Sequence, residues 1–131
     1  MRRGYIHLYG LNLVFHRVGK DPPVLLLAEE ASRWPEVAGL EPPFTLYLLD
    51  LPGFGLTGGP IMTPEEVAQY VAAFVVMLNL GSPPALLREA GLALKEALEG
   101  MGLLALPAEG DLTEVLSNLL RRNSVEPGGE V

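Results

Sequence analysis

The chain has 131 residues, 49% of them hydrophobic, with a formal net charge of −7 and no cysteine. It is long enough for one domain with a buried core, and its positive mean hydropathy excludes a disordered protein. The acidity excludes non-specific binding to nucleic acid or to an anionic membrane surface, which need clustered Lys and Arg; the lack of cysteine excludes disulfides, thiolate nucleophiles and Cys-ligated metals.

Met1-Arg2-Arg3 is basic, but Gly4-Tyr5-Ile6-His7 begins an alternating pattern where a signal peptide would carry an apolar run. Residues 4–9 and 12–18 alternate around Gly10-Leu11, which predicts a β-hairpin. After the breaker Gly19-Lys20-Asp21-Pro22-Pro23, the unbroken apolar run Val24-Leu25-Leu26-Leu27 predicts a strand buried on both faces of a parallel sheet. A short helix is expected after Ser32, carrying Trp34, and a second buried strand over Thr45–Leu49. Thr63-Pro64-Glu65-Glu66 reads as a helix start, with an N-cap, a proline at the first helical position and a capping-box glutamate. That helix is expected to end near Leu80, before Gly81-Ser82-Pro83-Pro84.

Ala85-Leu86-Leu87 then predicts a third strand, Ala90 to Met101 an amphipathic helix, and Leu103-Leu104-Ala105-Leu106 a fourth buried strand. Asp111 caps a last helix whose apolar set is Leu112, Val115, Leu116, Leu119 and Leu120. The expected organisation is one domain over residues 1–122 with a flexible tail over 123–131. Strands alternating with helices behind a hairpin predict a three-layer α/β/α fold with a mostly parallel sheet and an antiparallel N-terminal hairpin. The longest mainly apolar stretch, Val67 to Leu80, falls short of the roughly 20 residues that span a bilayer. The expected setting is therefore the cytoplasm, without a membrane partner. Arginine outnumbers lysine and glutamine is scarce, a composition like that of thermophile proteins.

Asp50-Leu51-Pro52-Gly53 matches the D-x-x-G element of small GTPases, which requires a phosphate loop upstream. The Gly19-Lys20 pair is followed by Asp21 and has Val14 where that loop needs glycine, so the nucleotide reading fails. A second resemblance has several landmarks in order. Gly10-Leu11-Asn12-Leu13-Val14-Phe15 through Gly19, then Val24–Leu27 with Trp34 behind it, then Leu49-Asp50-Leu51-Pro52-Gly53-Phe54-Gly55, then Gly81–Leu87 resemble the α/β-hydrolase superfamily over residues 4–95. The most specific match is the turn containing Pro52, Gly53 and Gly55.

The resemblance implies a nucleophile elbow G-x-S-x-G after the strand at Leu87, where the chain reads Arg88-Glu89-Ala90-Gly91-Leu92, with Ala90 at the serine position. It also implies a His-Gly after the third strand, where the chain has Ala28-Glu29; a carboxylate there repels a developing oxyanion. The two histidines, His7 and His16, lie on the hairpin and are expected far from the strand ends, and two histidines without cysteine make a poor metal site. The catalytic set is thus expected to be empty, and no cofactor or metal is called for.

The strand ends are expected to gather a vestigial pocket of Ala28, Glu29, Asp50, Arg88, Glu89 and Ala90. Arg88 would either pair with Glu29 or Asp50 and plug it, or grip a small anionic ligand. The helix from Val67 is apolar nearly all round, which implies that something covers its outer side. A second copy of the chain is the expected cover, with Tyr70, Val71, Phe74, Val75, Met77 and Leu78 as interface candidates. The expected function is non-catalytic binding or assembly as a homodimer. The alternatives are a small-ligand binder or a cryptic esterase using Ser32, Ser82 or a water.

Overall fold

The structure, a computed structural model, describes residues 1–20, 22–108 and 110–129. Its frame is a six-stranded sheet in the order β1-β2-β4-β3-β5-β6, built from β1 (Arg2–Leu8), β2 (Leu11–Gly19), β3 (Pro23–Ala28), β4 (Thr45–Asp50), β5 (Ala85–Leu87) and β6 (Ala105–Pro107). β1 and β2 form the expected hairpin, and β2 pairs antiparallel with β4. β4, β3, β5 and β6 run parallel. The hairpin turn is Tyr9-Gly10, one residue earlier than the sequence suggests. Both residues have positive φ, 48° and 86°, as a two-residue primed turn requires.

Three α-helices, α1 (Pro64–Met77), α2 (Lys95–Gly100) and α3 (Leu112–Gly129), complete three layers. α1 and α2 cover one face of the sheet, where Leu25, Leu27, Tyr47, Leu49, Phe74 and Leu98 share one core. α3 and Trp34 cover the other, packing on Leu26, Leu46, Leu48 and Leu86. The strands β3 and β4 are therefore buried on both faces, which explains why they read as unbroken apolar runs.

The start of α1 forms as expected. The Glu66 N–H donates to Thr63 Oγ1 at 3.2 Å and the Thr63 N–H donates back to Glu66 Oε1 at 3.0 Å, a closed capping box with Pro64 behind it. Asp111 likewise caps α3, accepting from the Thr113 N–H at 3.0 Å. α3 extends to Gly129, past the boundary expected at Arg122; residues 130 and 131 of the expected tail lie outside the described residues.

Two expected helices differ. The segment after Ser32 is a pair of short 3₁₀ turns, Ala31–Arg33 and Pro35–Gly39, hinged at Trp34. Pro35 cannot donate a backbone hydrogen bond, which stops the first turn from propagating. The expected helix from Ala90 is a 3₁₀ turn over Glu89–Leu94 that passes into α2. Among the described residues no helix is long and apolar enough to cross a membrane.

Candidate functional site

From β3 the chain steps sideways to β4, its connection lying on the α3 face. From β4 it returns through α1, on the opposite face, to β5 on the far side of β3. Connections that leave in opposite directions open a crevice at the carboxyl ends of the strands, where open α/β sheets bind ligands. Ala28, Asp50 and Leu87 end the three strands that meet there, and the expected pocket residues Glu29, Arg88, Glu89 and Ala90 follow directly.

Asp50 is buried, and its carboxylate is committed to the backbone. Oδ1 accepts from the Ala31 N–H at 2.8 Å and Oδ2 from the Leu56 N–H at 2.9 Å. Its carbonyl accepts from the Thr57 hydroxyl at 2.6 Å, and Thr57 Oγ1 in turn accepts from the Val14 N–H at 2.8 Å. These bonds fold the Pro52-Gly53-Phe54-Gly55 turn over the end of β4. A Cβ on Gly55 would lie 2.6 Å from Asp50 Oδ2, so the glycine is needed for this close approach.

Arg88 does not pair with Glu29 or Asp50; its partner is Glu36, on the second 3₁₀ turn. The two terminal nitrogens fork onto Glu36 at 3.2 and 2.9 Å, and the Arg33 carbonyl accepts at 3.0 Å. The Ala108 carbonyl accepts from Nε and Nη2 at 3.2 and 3.1 Å. The guanidinium also lies 4.2 Å over the Trp34 ring. The hydrogen bond from Arg88 holds the Glu36 carboxyl below its usual range, against a smaller opposing effect of burial. With its fork filled, Arg88 bolts three chain segments together, leaving no arm for an anionic ligand. The expected pairing with Glu29 or Asp50 is therefore replaced by one with Glu36, which nothing in the sequence ties to Arg88.

The strained turn after β5 corrects the elbow register. The residue at its apex is Glu89, with φ of 56°, not Ala90. Centred there, the pattern reads Leu87-Arg88-Glu89-Ala90-Gly91, so the second glycine is kept. A Cβ on Gly91 would lie 2.1 Å from the Leu27 carbonyl oxygen, and only glycine lets this turn lie on β3. The strained apex of such a strand-to-helix turn is where an elbow carries its nucleophile. Here it holds a carboxylate, with Oε1 3.5 Å from Arg33 Nη1 on the protein surface. Glu29, just past the end of β3, has its Oε1 buried with no hydrogen-bond partner among the described residues.

His16 is also misplaced by the sequence reading. β2 pairs antiparallel with β4, setting His16 opposite Leu48. It therefore borders a cavity of about 350 Å³ lined by Ser32, Trp34, Asp50 and Leu56 among others. Its Nδ1 and the Trp34 Nε1 are buried without partners among the described residues. Ser32, His16 and Asp50 thus share a cavity, but among the described residues no hydrogen bond joins them as a triad. His7 lies elsewhere, its Nδ1 2.8 Å from Asn12 Oδ1 on the exposed hairpin. Among the described residues no group of three or more His, Asp or Glu is placed to hold a metal ion.

The interface candidates divide. Tyr70, Val71, Phe74 and Val75 are buried inside the subunit, contrary to expectation. The hairpin tip is what covers the second side of α1: Tyr9 packs edge-to-face on Tyr70 at 5.3 Å, and the Tyr70 hydroxyl donates to the Tyr9 carbonyl at 3.3 Å. Met77 is 60% exposed, as is its neighbour Val76 at 74%, and Leu78 is partly buried. With Tyr9 and Met101, Val76 and Met77 line an apolar groove of about 510 Å³.

The crystal structure of the protein TT1977 is 64% identical to this chain, covers 92% of it and 98% of its own length, and superimposes with a TM-score of 0.86. This chain belongs to the same family as TT1977. Its fold is that of the α/β-hydrolases. An α/β hydrolase fold protein from Burkholderia ambifaria matches with a TM-score of 0.67 at 17% identity, covering 78% of this chain and 40% of its own. The epoxide hydrolase VrEH1 from Vigna radiata matches at 0.66 and 20% identity, covering 74% of this chain and 34% of its own. The TT1977-family chain therefore spans well under half the length of these two hydrolases. No protein-family model matches it, and no curated protein does either.

Proposed function

We propose that this TT1977-family protein is a non-catalytic α/β-hydrolase-like domain that works by binding or assembly, as a cytoplasmic homodimer. One observation carries this reading: Asp50, Arg88 and Glu89 at the strand ends are already engaged by other groups of the chain. Asp50 is tied to two backbone N–H groups, Arg88 to Glu36 and two carbonyls, and the apex residue Glu89 to Arg33. A working triad instead needs nucleophile, base and orienter hydrogen-bonded in series. The test is a native mass spectrum of the purified protein combined with labelling by a fluorophosphonate probe. A dimer that stays unlabelled supports the reading. Labelling at Ser32 or Ser82 would replace it with an esterase.

A second reading, a small-ligand binder, is favoured by the two unpartnered atoms, His16 Nδ1 and Trp34 Nε1, on residues lining the cavity beside Asp50. Buried polar groups normally find partners. An indole N–H can only donate, so this cavity suits a largely apolar molecule carrying an acceptor oxygen. A co-purified mass that disappears in Trp34→Phe would favour it.

A further inference from the structure

The outer strand of the sheet, β1, pairs with β2 on one side and, among the described residues, with no strand on the other. Its hydrogen-bond phase follows from the hairpin. Tyr9 and Gly10 form a two-residue turn, so Leu8 and Leu11 are a closing pair that exchange both backbone bonds. Alternation along an antiparallel ladder then gives Leu8, Ile6, Gly4 and Arg2 the bonds to β2. It turns the N–H and C=O of His7, Tyr5 and Arg3 outward, a row of three donors and three acceptors. Those three side chains are exposed, and among the described residues no further backbone bond occupies the row. The opposite edge of the sheet is β6, a short strand ending in Pro107.

We infer that the β1 edge is where two copies of this chain meet, pairing antiparallel about a two-fold axis at Tyr5; the inference rests on the homodimer reading. The row is self-complementary in one register. With Tyr5 opposite Tyr5, Arg3 of each copy faces His7 of the other, and every outward N–H meets an outward C=O. A slip of one residue sets outward groups against inward ones, and a slip of two leaves one outward residue of each copy unpaired. The charges agree with this arrangement. Arg2 and Arg3 lie at one end of the strand, so antiparallel pairing sends the arginines of the two copies to opposite ends, whereas parallel pairing would stack them.

A second observation points to the same edge. Tyr5 is 67% exposed on the sheet face, and Met1 and Leu56, also exposed, line the adjoining hollows with Val14 and His16. Pairing at Tyr5 sets the two Tyr5 side chains beside each other at the rim of these hollows. It also removes the free edge, a long unpaired strand that otherwise invites aggregation.

The chain contains no cysteine, which makes the test direct. In the proposed register the two Tyr5 Cβ atoms lie about 5.5 Å apart, within reach of a short bis-maleimide in a Tyr5→Cys variant. Tyr5→Cys is expected to cross-link into a covalent dimer, and Met77→Cys, in the α1 groove, is not. Tyr5→Pro removes one outward N–H and leaves the ladder to β2 intact, a substitution that edge strands accept. It is expected to raise the dimer dissociation constant by roughly 100-fold in sedimentation equilibrium, with the far-UV spectrum unchanged. A native dimer in which Met77→Cys cross-links and Tyr5→Cys does not would overturn the edge and leave the homodimer standing. A native chain that sediments as a monomer at every concentration would overturn both. If Tyr5→Pro fails to fold, the cross-linking result alone decides.

Discussion

The guanidinium of Arg88 lies over the indole of Trp34, its central carbon 4.2 Å from the ring centroid, while its two terminal nitrogens fork onto Glu36. One side chain thus ties the end of β5 to the hinge between the two 3₁₀ turns and, through the Ala108 carbonyl, to the approach to α3. Arg88→Ala should destabilise the protein by about 2–3 kcal/mol, because it strips donors from two carbonyls and leaves Glu36 without its partner. Arg88→Lys should recover little of this, since a point charge cannot fork or stack. Denaturant unfolding of both variants checks the expectation; full recovery by lysine would contradict the forked-and-stacked account.

The same pair makes a pH prediction. Arg88 holds the folded-state Glu36 carboxyl below its ordinary value of 4.5. A depressed carboxyl contributes stability that is present above its unfolded pKa and lost as pH falls through the folded one. The stability gap between the native chain and Glu36→Gln should therefore be largest near neutrality and shrink below pH ~4.5. Melting curves at a series of pH values would show it, and a gap independent of pH would contradict it.

The turn after β5 makes opposite demands on two neighbours. Glu89 holds a left-handed backbone that costs a non-glycine residue about 1 kcal/mol, so Glu89→Gly should be neutral or slightly stabilising. Gly91→Ala must push a Cβ into the Leu27 carbonyl, and should cost roughly 3 kcal/mol or prevent folding. Thermal melts check this: Gly91→Ala should lower the melting temperature sharply, and Glu89→Gly should leave it unchanged or slightly raised.

At the other end of the β4–α1 connection, Thr63→Ala should cost about 1 kcal/mol by opening the capping box, measured by urea unfolding. Thr63→Ser should recover most of the loss, since it keeps the oxygen that accepts from the Glu66 N–H.

Local chemistry was legible in the sequence wherever it decides local structure. The apolar runs at Val24–Leu27 and Thr45–Leu49, the Thr63-Pro64-Glu66 cap and the Asp111 cap each specify an element through neighbours in the chain, and each forms as read. The family resemblance was legible too, because the Pro52-Gly53-Phe54-Gly55 turn needs its glycine where the backbone closes on Asp50. The site depended on distances across the fold. Glu36 meets Arg88 because two 3₁₀ turns bring residues 52 positions apart into contact, and His16 reaches the cavity because β2 lies against β4. Periodicity said that α1 was apolar on all sides, but only tertiary packing could show that the chain's own hairpin tip covers its Tyr70 side. The apex of the strained turn is a matter of φ, which spacing alone could not place on Glu89. The sequence by itself determined the strands, the caps and the fold they build, since hydrophobic period and capping act between near neighbours. Tertiary structure decided which charges meet and which apolar faces stay open, since both follow from pairings between segments distant in the chain.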